Sequence, residues 1–499
     1  MTSNRFKLAF YKFKGSILKT KKSIRIGNGA GFWGDDSTAP RRLADTGMLD
    51  YLTLEYLAEL TLSILAYQRM KDPSRGFVAD VPAVVAEITS HLEGERPLKL
   101  VTNGGGINPT SCVTETAKVL VEAGFGKTRV AAVAGDDLLE NIDQLISEGE
   151  LFHHFETGQP LGELRGELVS ANAYMGAQGI CDALAQEAQI VITGRVADAS
   201  LVVGPAVHEM GWSLDDADRI AAGTVAGHLI ECGAQVTGGM YSKWHEGIDL
   251  ANIGYPIAEI SCDGNCIISK PNGSGGQVST ETVAEQLVYE IGDPQRYMTP
   301  DVIADFSQVV LAATGPDRVL VTGGRGQTAP GRLKVSMAYR DGYSTMGEIV
   351  IAGRDAQNKA TAAAEAIKTR MVNAGFTPDQ FEYEFIGIGA TLPGVAMPTG
   401  PLQEIMLRMH VRDSKRETLQ FFTRQIPSLV TSGPPGVTGY VGARPKIIPV
   451  LAYWPSTIPK NKMKPTVQVK TAKEWLKCCL LYTSPSPRDR TRSRMPSSA

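Results

Sequence analysis

The segment LKLVTNGGGINPTSCVTETAKVLVEA, residues 98–123, contains one complete strand–loop–helix unit. Leu98–Thr102 is a short apolar run of the kind that forms a buried strand. Three glycines follow, and Asn108 with Pro109 provides the N-cap and first-turn residues that start a helix over Pro109–Ala123. The segment therefore predicts a strand that passes through a tight glycine loop into a helix.

Similar units occur on both sides of this segment. Strands are predicted at Ser23–Gly27, Arg129–Ala134 and Ile190–Thr193, and helices at Tyr51–Gln68, Val81–Leu92, Ala171–Ala188 and Leu214–Glu231. Strands that alternate with helices of ten or more residues form right-handed βαβ units. We expect an α/β fold in which residues 23–250 form a mostly parallel, Rossmann-like sheet with flanking helices.

The pattern changes after residue 250. Short β-rich pieces predominate up to residue 456, with helices expected at Ala356–Asn373 and near Ser414–Arg424. We expect a smaller α+β region over 251–456. A linker is predicted at 457–479.

The two ends of the chain differ from the rest. Residues 1–22 carry seven Lys or Arg and no acidic residue, which fits either a basic matrix transit peptide or a misassigned start. Residues 480–499 are rich in Ser, Pro and Arg and contain little to bury, so we expect an artefactual disordered tail and a missing natural C-terminus.

Composition excludes several classes of protein. The 499 residues are 43% hydrophobic and 21% charged, as in ordinary globular chains, and no apolar run is long enough to span a membrane. Residues 23–479 carry 39 basic and 52 acidic residues, which argues against nucleic-acid binding. Seven scattered Cys indicate reduced thiols, so we expect a soluble cytoplasmic protein, or a mitochondrial one if the basic leader is a transit peptide.

The glycine loop is a candidate binding site for an anion. A helix that starts at the carboxyl end of a parallel strand presents free N–H groups and the positive end of its dipole. Gly104, Gly105 and Gly106 would let the backbone approach a phosphate, carboxylate or thioester, with Asn108 and Thr110 beside it. The alternative is a tight turn that binds no ligand.

A second strand end carries the sequence TGRVADAS, residues 193–200. Arg195 offers a planar fork for a substrate carboxylate or phosphate, and Asp198 could act as a base or cap the next helix. The alternative is that Arg195 and Asp198 only pair with each other.

A third candidate lies in GAGFWGDD, residues 29–36. The glycines match a dinucleotide-binding spacing, but Asp35 and Asp36 would repel a pyrophosphate, so no nicotinamide or flavin site is expected. Asp36 is instead a candidate acid or base, or the pair could bind a hard metal ion; a turn in which either carboxylate caps a helix is the other interpretation. Cys262-x3-Cys266 lacks a second ligand pair, so no zinc site is predicted.

Five separated motifs resemble one family in the right order. They are IRIGNGAGFWGDD (24–36), DYLTLEYLAELTLSIL (50–65), VTNGGGINPTSC (101–112), ITGRVADASLVVGP (192–205) and TSGPPGVTGYVGARP (431–445). Together they are similar to the acyclic terpene utilisation protein AtuA family over about residues 23–456. The resemblance implies a role in the bacterial catabolism of citronellol- and geraniol-type terpenes, whose acids are processed as coenzyme A thioesters.

These observations lead to two functional hypotheses. The first is an enzyme of terpenoid-acid or branched acyl-CoA catabolism, a hydratase, lyase or hydrolase. In it Gly104, Gly105, Gly106, Asn108 and Thr110 hold the anionic or thioester group, Arg195 holds a carboxylate, and Asp198 or Asp36 moves a proton. The second is a non-catalytic subunit that binds an acyl ligand or a partner enzyme through the same loops. The oligomeric state stays open, and coenzyme A is expected only as part of the substrate.

Overall fold

The computed structural model describes residues 22–46, 48–394, 400, 402–440 and 442–482. They form two compact units. The first contains the described residues up to Leu138, Asn172–Val335 and those from Thr457 onward; the second contains Leu139–Ala171 and Ser336–Ser456. The predicted basic leader, apart from Lys22, and most of the predicted tail lie outside the described residues.

The strands, in chain order, are β1 Ser23–Asn28, β2 Tyr51–Leu54, β3 Lys99–Thr102, β4 Arg129–Ala134, β5 Leu168–Ala173, β6 Ile190–Thr193, β7 Ile257–Ser261, β8 Cys266–Ser269, β9 Tyr297–Met298, β10 Ile303–Asp305, β11 Val310–Gly315, β12 Arg318–Thr322, β13 Arg325–Gln327, β14 Arg332–Ala352, β15 Gln380–Ile386, β16 Glu404–Asp413, β17 Val437–Tyr440, β18 Ile448–Pro459 and β19 Thr466–Thr471. The α-helices are α1 Ala39–Asp45, α2 Glu59–Lys71, α3 Asp80–Ile88, α4 Pro109–Glu122, α5 Ile142–Ser147, α6 Gln178–Ala185, α7 Ser200–Met210, α8 Ala217–Glu231, α9 Thr280–Val288, α10 Ala356–Asn373, α11 Arg416–Ser432 and α12 Ala472–Tyr482.

A ten-stranded sheet forms the centre of the first unit, in the order β11-β12-β8-β7-β1-β2-β3-β6-β4-β19. The five adjacent strands β1, β2, β3, β6 and β4 run parallel to one another. β2 is buried at all four positions and β6 likewise, as expected of strands covered on both faces. β6 lies between β3 and β4, so the chain crosses over between consecutive strands at this point.

The sheet is mixed, which corrects the expectation of a mostly parallel, Rossmann-like sheet. β7 pairs antiparallel with β1, and β8, β12 and β11 continue outward as antiparallel neighbours. A short turn after Ser261 joins β7 to β8, and such a turn can connect only antiparallel strands. The first strands of the predicted α+β region, up to β12, therefore extend the first sheet.

The second unit is built on β14. From the sequence, the short apolar runs Leu333–Ala338 and Glu348–Ile351 predict two separate strands here, and the structure joins them into one. β15-β16-β14-β17 form a sheet in which β5 and β18 also pair with β14. α10 and α11 contribute buried apolar side chains to one core with β14 and β16, including Ile367, Phe422, Leu407 and Met409.

Two sequence assignments differ from the structure in informative ways. The predicted helix Tyr51–Gln68 is instead a strand, β2, followed after four residues by α2. The prediction was wrong because a strand buried on both faces gives a continuous apolar run that cannot be distinguished from a buried helix. The predicted linker at 457–479 contains β19 and much of α12. β19 pairs with β4 over six residues, and Trp475 of α12 is 3% exposed.

A search of the described residues for a bilayer-spanning helix found none with both the length and the apolar character required.

Candidate functional site

Four neighbouring parallel strands end beside one another in the first unit, and a polar side chain follows each of them. Glu55 follows β2, Asn103 follows β3, Arg195 comes two residues after β6, and Asp136 comes two residues after β4. All four side chains are buried. In open α/β sheets, ligands bind at this carboxyl edge where the strand order changes, so this is the first place to look for a site.

Arg195 is the cation of this cluster and is only 2% exposed. Its Nη1 donates to the carbonyl oxygen of Leu57, and its Nη2 lies 2.9 Å from Oδ1 of Asp198. The guanidinium carbon lies 3.9 Å from the centroid of the Tyr174 ring, a cation–π contact. The fork predicted to bind a substrate is thus occupied by groups of the protein itself.

Glu55 and Asp198 are a pair of carboxyl groups beside this cation. Oε1 of Glu55 accepts from Nδ2 of Asn103 at 2.7 Å and from the Leu57 N–H at 2.8 Å, and lies 3.9 Å from Nη1 of Arg195. Nη2 of the same guanidinium lies 2.9 Å from Oδ1 of Asp198. One guanidinium therefore lies beside two carboxyl groups.

The environment favours one retained proton on this pair. Burial, together with the neighbouring Asp198 carboxylate, raises the pKa of Glu55 well above its ordinary value, although Arg195 opposes the change. Burial also raises the pKa of Asp198 to about 6 against the opposing effect of Arg195. Two adjacent carboxyl groups cannot both ionise cheaply, which is the condition for a proton-sharing dyad.

The two members of the pair differ in access to solvent. The side chain of Glu55 is 8% exposed, whereas that of Asp198 is 35% exposed. Asp198 lies between β6 and α7, and its backbone carbonyl accepts the Leu201 N–H. Asp198 is therefore the more exposed member of the pair.

Asp136 lies close to Arg195 but is not part of the pair. Its Oδ2 accepts from the Arg195 backbone N–H at 2.9 Å and from Nδ2 of Asn172 at 2.8 Å. Burial raises its pKa to about 6. Asp136 thus fixes the backbone of the loop from which the Arg195 side chain extends.

Asp36, the other predicted catalytic residue, has different partners. Its Oδ1 accepts from the N–H and hydroxyl of Thr38, and its Oδ2 lies 2.5 Å from Nη2 of Arg42. Against the effect of partial burial, these contacts lower the pKa of Asp36, which disfavours acid–base work near neutral pH. The adjacent Asp35 accepts from the Gly31 N–H and from the hydroxyl of Tyr255, so both carboxylates bind their own loop and its neighbours.

The glycine loop is packed against protein. A Cβ on Gly105 would lie 2.5 Å from the carbonyl oxygen of Thr193, and one on Gly104 would lie 2.4 Å from Cγ2 of Val81. Gly106 has a φ of +56°. These glycines are needed for close approach of protein segments, which does not require a ligand.

The remaining predicted binding residues lie at the start of α4. Asn108 caps the helix, since its side chain accepts the Ser111 N–H, and its Nδ2 donates to the carbonyl oxygens of Pro73 and Arg75. Thr110 is exposed, and its carbonyl oxygen accepts from the Thr114 hydroxyl. The structure thus brings Arg195 and Asp198 together and gives Asp36, Asn108 and Thr110 other partners.

Sequence reasoning missed Glu55, Asn103 and Tyr174. Glu55 was hidden because the strand before it was assigned to a helix. Asn103 stands inside the quoted glycine segment, and a polar residue directly after a buried strand was a usable signal. Tyr174 has no sequence signal, since it reaches Arg195 from a segment that follows β5.

The fold and the site define an α/β protein with a buried, arginine-bridged carboxyl pair at the carboxyl edge of its parallel strands. Among the described residues, no group of three or more His, Cys, Asp or Glu could hold a metal ion. The chain matches the family model described as acyclic terpene utilisation family protein AtuA over residues 24–469, and it belongs to that family. Comparisons with curated proteins and with solved structures gave no match.

Proposed function

We propose that this AtuA-family protein is an acid–base enzyme acting on a carboxylate or acyl-CoA thioester of acyclic terpene catabolism. The observation that carries the proposal is the placement of the Glu55 and Asp198 carboxyl groups 3.9 and 2.9 Å from nitrogens of one buried guanidinium, that of Arg195. Family membership supports the link to acyclic terpene utilisation. The substrate and the reaction belong to the proposal.

The pair supplies both groups that addition or removal of water requires. In hydration of an unsaturated thioester, the Asp198 carboxylate takes a proton from water while the water oxygen bonds to one alkene carbon. Glu55 gives its proton to the other carbon, directly or through Asp198, so that the pair again holds one proton. Positioned acid–base groups of this kind contribute about 10²–10⁴ in rate.

Arg195 takes a different role from the one expected of a substrate-binding arginine. The Arg195 guanidinium is 2% exposed, its Nη1 donates to Leu57 and its Nη2 lies beside Asp198, so burial and these two contacts close it to a ligand even though Nε has no hydrogen-bond partner. It stabilises the ionised member of the pair and holds both carboxyl groups in place. Asp36 is left out of the proposal because its oxygens bind Thr38 and Arg42.

The experiment is a turnover screen on the purified chain. Branched α,β-unsaturated acids and their coenzyme A thioesters are incubated with the protein, and mass spectrometry follows gain of water, loss of water or release of the thiol. We expect Asp198→Asn and Glu55→Gln to lower the rate about 10²–10⁴-fold while ligand affinity is kept. Asp182→Asn, at a carboxylate on α6 that bonds to Gln178, is the control and should keep the full rate.

The outcomes separate the two hypotheses. Full activity in both Asp198→Asn and Glu55→Gln would refute the proposed roles. Binding of the acids or thioesters without conversion of any of them would favour a ligand-binding subunit, the alternative function.

A further inference from the structure

Helix α8 crosses α7 at close range, and the crossing leads toward the carboxyl pair. Gly223 of α8 faces Val203 of α7, where a Cβ on the glycine would lie 3.4 Å from Cγ2 of the valine. One turn later, a Cβ on Gly227 would lie only 2.7 Å from Cα of Ala199. Glu231 is the next residue on this face of α8, four residues after Gly227. Because Gly227 packs against Ala199, and Ala199 directly follows Asp198, the end of α8 lies near the Glu55–Asp198 pair.

A second contact anchors the end of α8 to the sheet. Nδ2 of Asn28, the last residue of β1, donates to the backbone carbonyl oxygens of Ile230 and Glu231 at 2.7 and 3.1 Å. Oδ1 of Asn28 accepts from the hydroxyl of Thr53 in β2. Glu231 is therefore tied to the same strand ends that carry Glu55.

Glu231 is one half of a buried ion pair. Its Oε1 lies 3.1 Å from Nδ1 of His228, and Nε2 of His228 lies 2.9 Å from the carbonyl oxygen of Gln286. Both ring nitrogens thus face oxygen atoms, an arrangement that the doubly protonated imidazolium satisfies with two N–H donors. Against the effect of burial, Glu231 raises the pKa of His228.

Oε2 of Glu231 is buried and has no hydrogen-bond partner. A buried carboxylate oxygen without a partner is costly, so its persistence calls for an explanation. Glu231 also adds to the rise in the pKa of Asp198 and of Tyr297. Glu231 thus has one oxygen paired with His228 and one buried oxygen without a partner.

We propose that Glu231, held in place by His228, is a positioning residue that keeps a third carboxylate beside Asp198 and so retains one proton on the Glu55–Asp198 pair. This inference rests on the proposed function for its catalytic meaning. The charge balance of the cluster agrees with this proposal. Three carboxyl groups share two cations, Arg195 and His228, and a buried carboxylate without a counter-charge takes up a proton.

The experiment measures protonation directly and needs no substrate. The protein is labelled at the aspartate carboxyl carbon with ¹³C, and the signal of Asp198 is assigned by its loss in Asp198→Asn. We expect Glu231→Gln to lower the titration midpoint of Asp198 by roughly one pH unit, a tenfold change in its proton affinity, because a like charge is removed. Glu231→Asp keeps the charge and should restore most of the wild-type midpoint.

The control uses the other acidic neighbour of His228. The charged and titratable groups around Asp198 and His228 are Arg195, Glu55, Glu59, Tyr174, Glu231, Glu290, Tyr297 and Cys232. Glu290 is exposed, so Glu290→Gln should leave the Asp198 midpoint unchanged. A Glu231→Gln variant that loses stability but keeps the Asp198 midpoint would overturn the proposal and leave Glu231 a structural role.

Two further observations keep the test decisive. If Glu231→Gln does not fold, ¹⁵N spectra of the wild-type His228 ring still test the ion pair, and a neutral ring at pH 7.5 would overturn the proposal. A coupled titration in a protein that turns over no substrate would uphold the coupling and refute the enzyme function alone.

Discussion

Asp136 gives a direct test of the electrostatics at the carboxyl edge of the sheet. Its carboxylate is 3% exposed and accepts two N–H groups, from Asn172 and from the Arg195 backbone, but has no cation among these partners. Burial raises its pKa from the ordinary 3.8 to about 6. The folded protein therefore holds the Asp136 proton more tightly than the unfolded chain does.

The sign and size of the effect follow from linkage. A carboxyl whose pKa is raised in the folded state contributes stability that is fully present below about pH 4 and is lost as the pH rises to about 6. A difference of about two pH units corresponds to about 3 kcal/mol of unfolding free energy. Asp136→Asn keeps an oxygen acceptor for both N–H groups and cannot ionise. The variant should therefore not show this loss of stability as the pH rises.

The assay is urea unfolding of wild type and Asp136→Asn at pH 4, 5, 6 and 7.5. We expect the free energy of unfolding of the variant, relative to wild type, to rise by about 3 kcal/mol between pH 4 and pH 7.5. Asp215→Asn, at an exposed carboxylate, should give a profile parallel to wild type. Parallel profiles for Asp136→Asn and wild type would show that burial does not hold the proton of this carboxyl.

Three further predictions concern the packing around the site. Gly105→Ala should destabilise the fold by about 1–3 kcal/mol in urea unfolding, because its Cβ would lie 2.5 Å from the Thr193 carbonyl oxygen. Gly292→Ala, in open space, is the control and should be nearly neutral. Equal effects of the two substitutions would contradict the close approach at Gly105. Trp475→Ala should lower the free energy of unfolding by about 3–5 kcal/mol, measured the same way, because the ring is 3% exposed and its Nε1 donates to the carbonyl oxygen of Val130. An unchanged free energy of unfolding would mean that α12 does not pack on β4. Deleting residues 483–499 should leave the melting temperature unchanged, because a segment rich in Ser, Pro and Arg can bury little; a drop of several degrees would contradict this.

The strands that carry the site were largely readable from the sequence. Arg129–Ala134 and Ile190–Thr193 are strands with those bounds, and α10 matches its predicted range. These segments have clear ends, marked by glycines, capping residues or a change of period. The α/β class of the fold therefore follows from local patterns.

The parts that could not be read depend on contacts between distant segments. The pairing of β7 with β1 joins residues that are more than 200 positions apart, and no local pattern reports which strand edge remains free. β19 returns to pair with β4 from the far end of the chain for the same reason. Local sequence indicates several of the strands, but strand direction in the outer sheet is set by these long-range pairings.

The candidate site shows the same division. Arg195 and Asp198 were proposed together because both occur in one short loop after a predicted strand. Their partner Glu55 lies 140 residues before Arg195, after a strand whose continuous apolar run gave no sign of a strand end. An arginine fork therefore signals that an anion will be bound, but the sequence does not say whether the anion comes from a ligand or from the protein.

The crossover in the sheet explains why these groups meet. β6 is inserted between β3 and β4, although β4 follows β3 in the chain, and so Arg195 lies beside the loop that carries Asn103. Asn103 in turn donates to Glu55 and accepts the Tyr56 N–H, which fixes the carboxyl on the next strand end. If β4 lay directly beside β3, one more strand would separate Arg195 from Glu55. The distance between them would increase by about 5 Å, and Arg195 could not balance the charge of both carboxyl groups. The strand order thus places a single cation between two acids that the chain supplies separately.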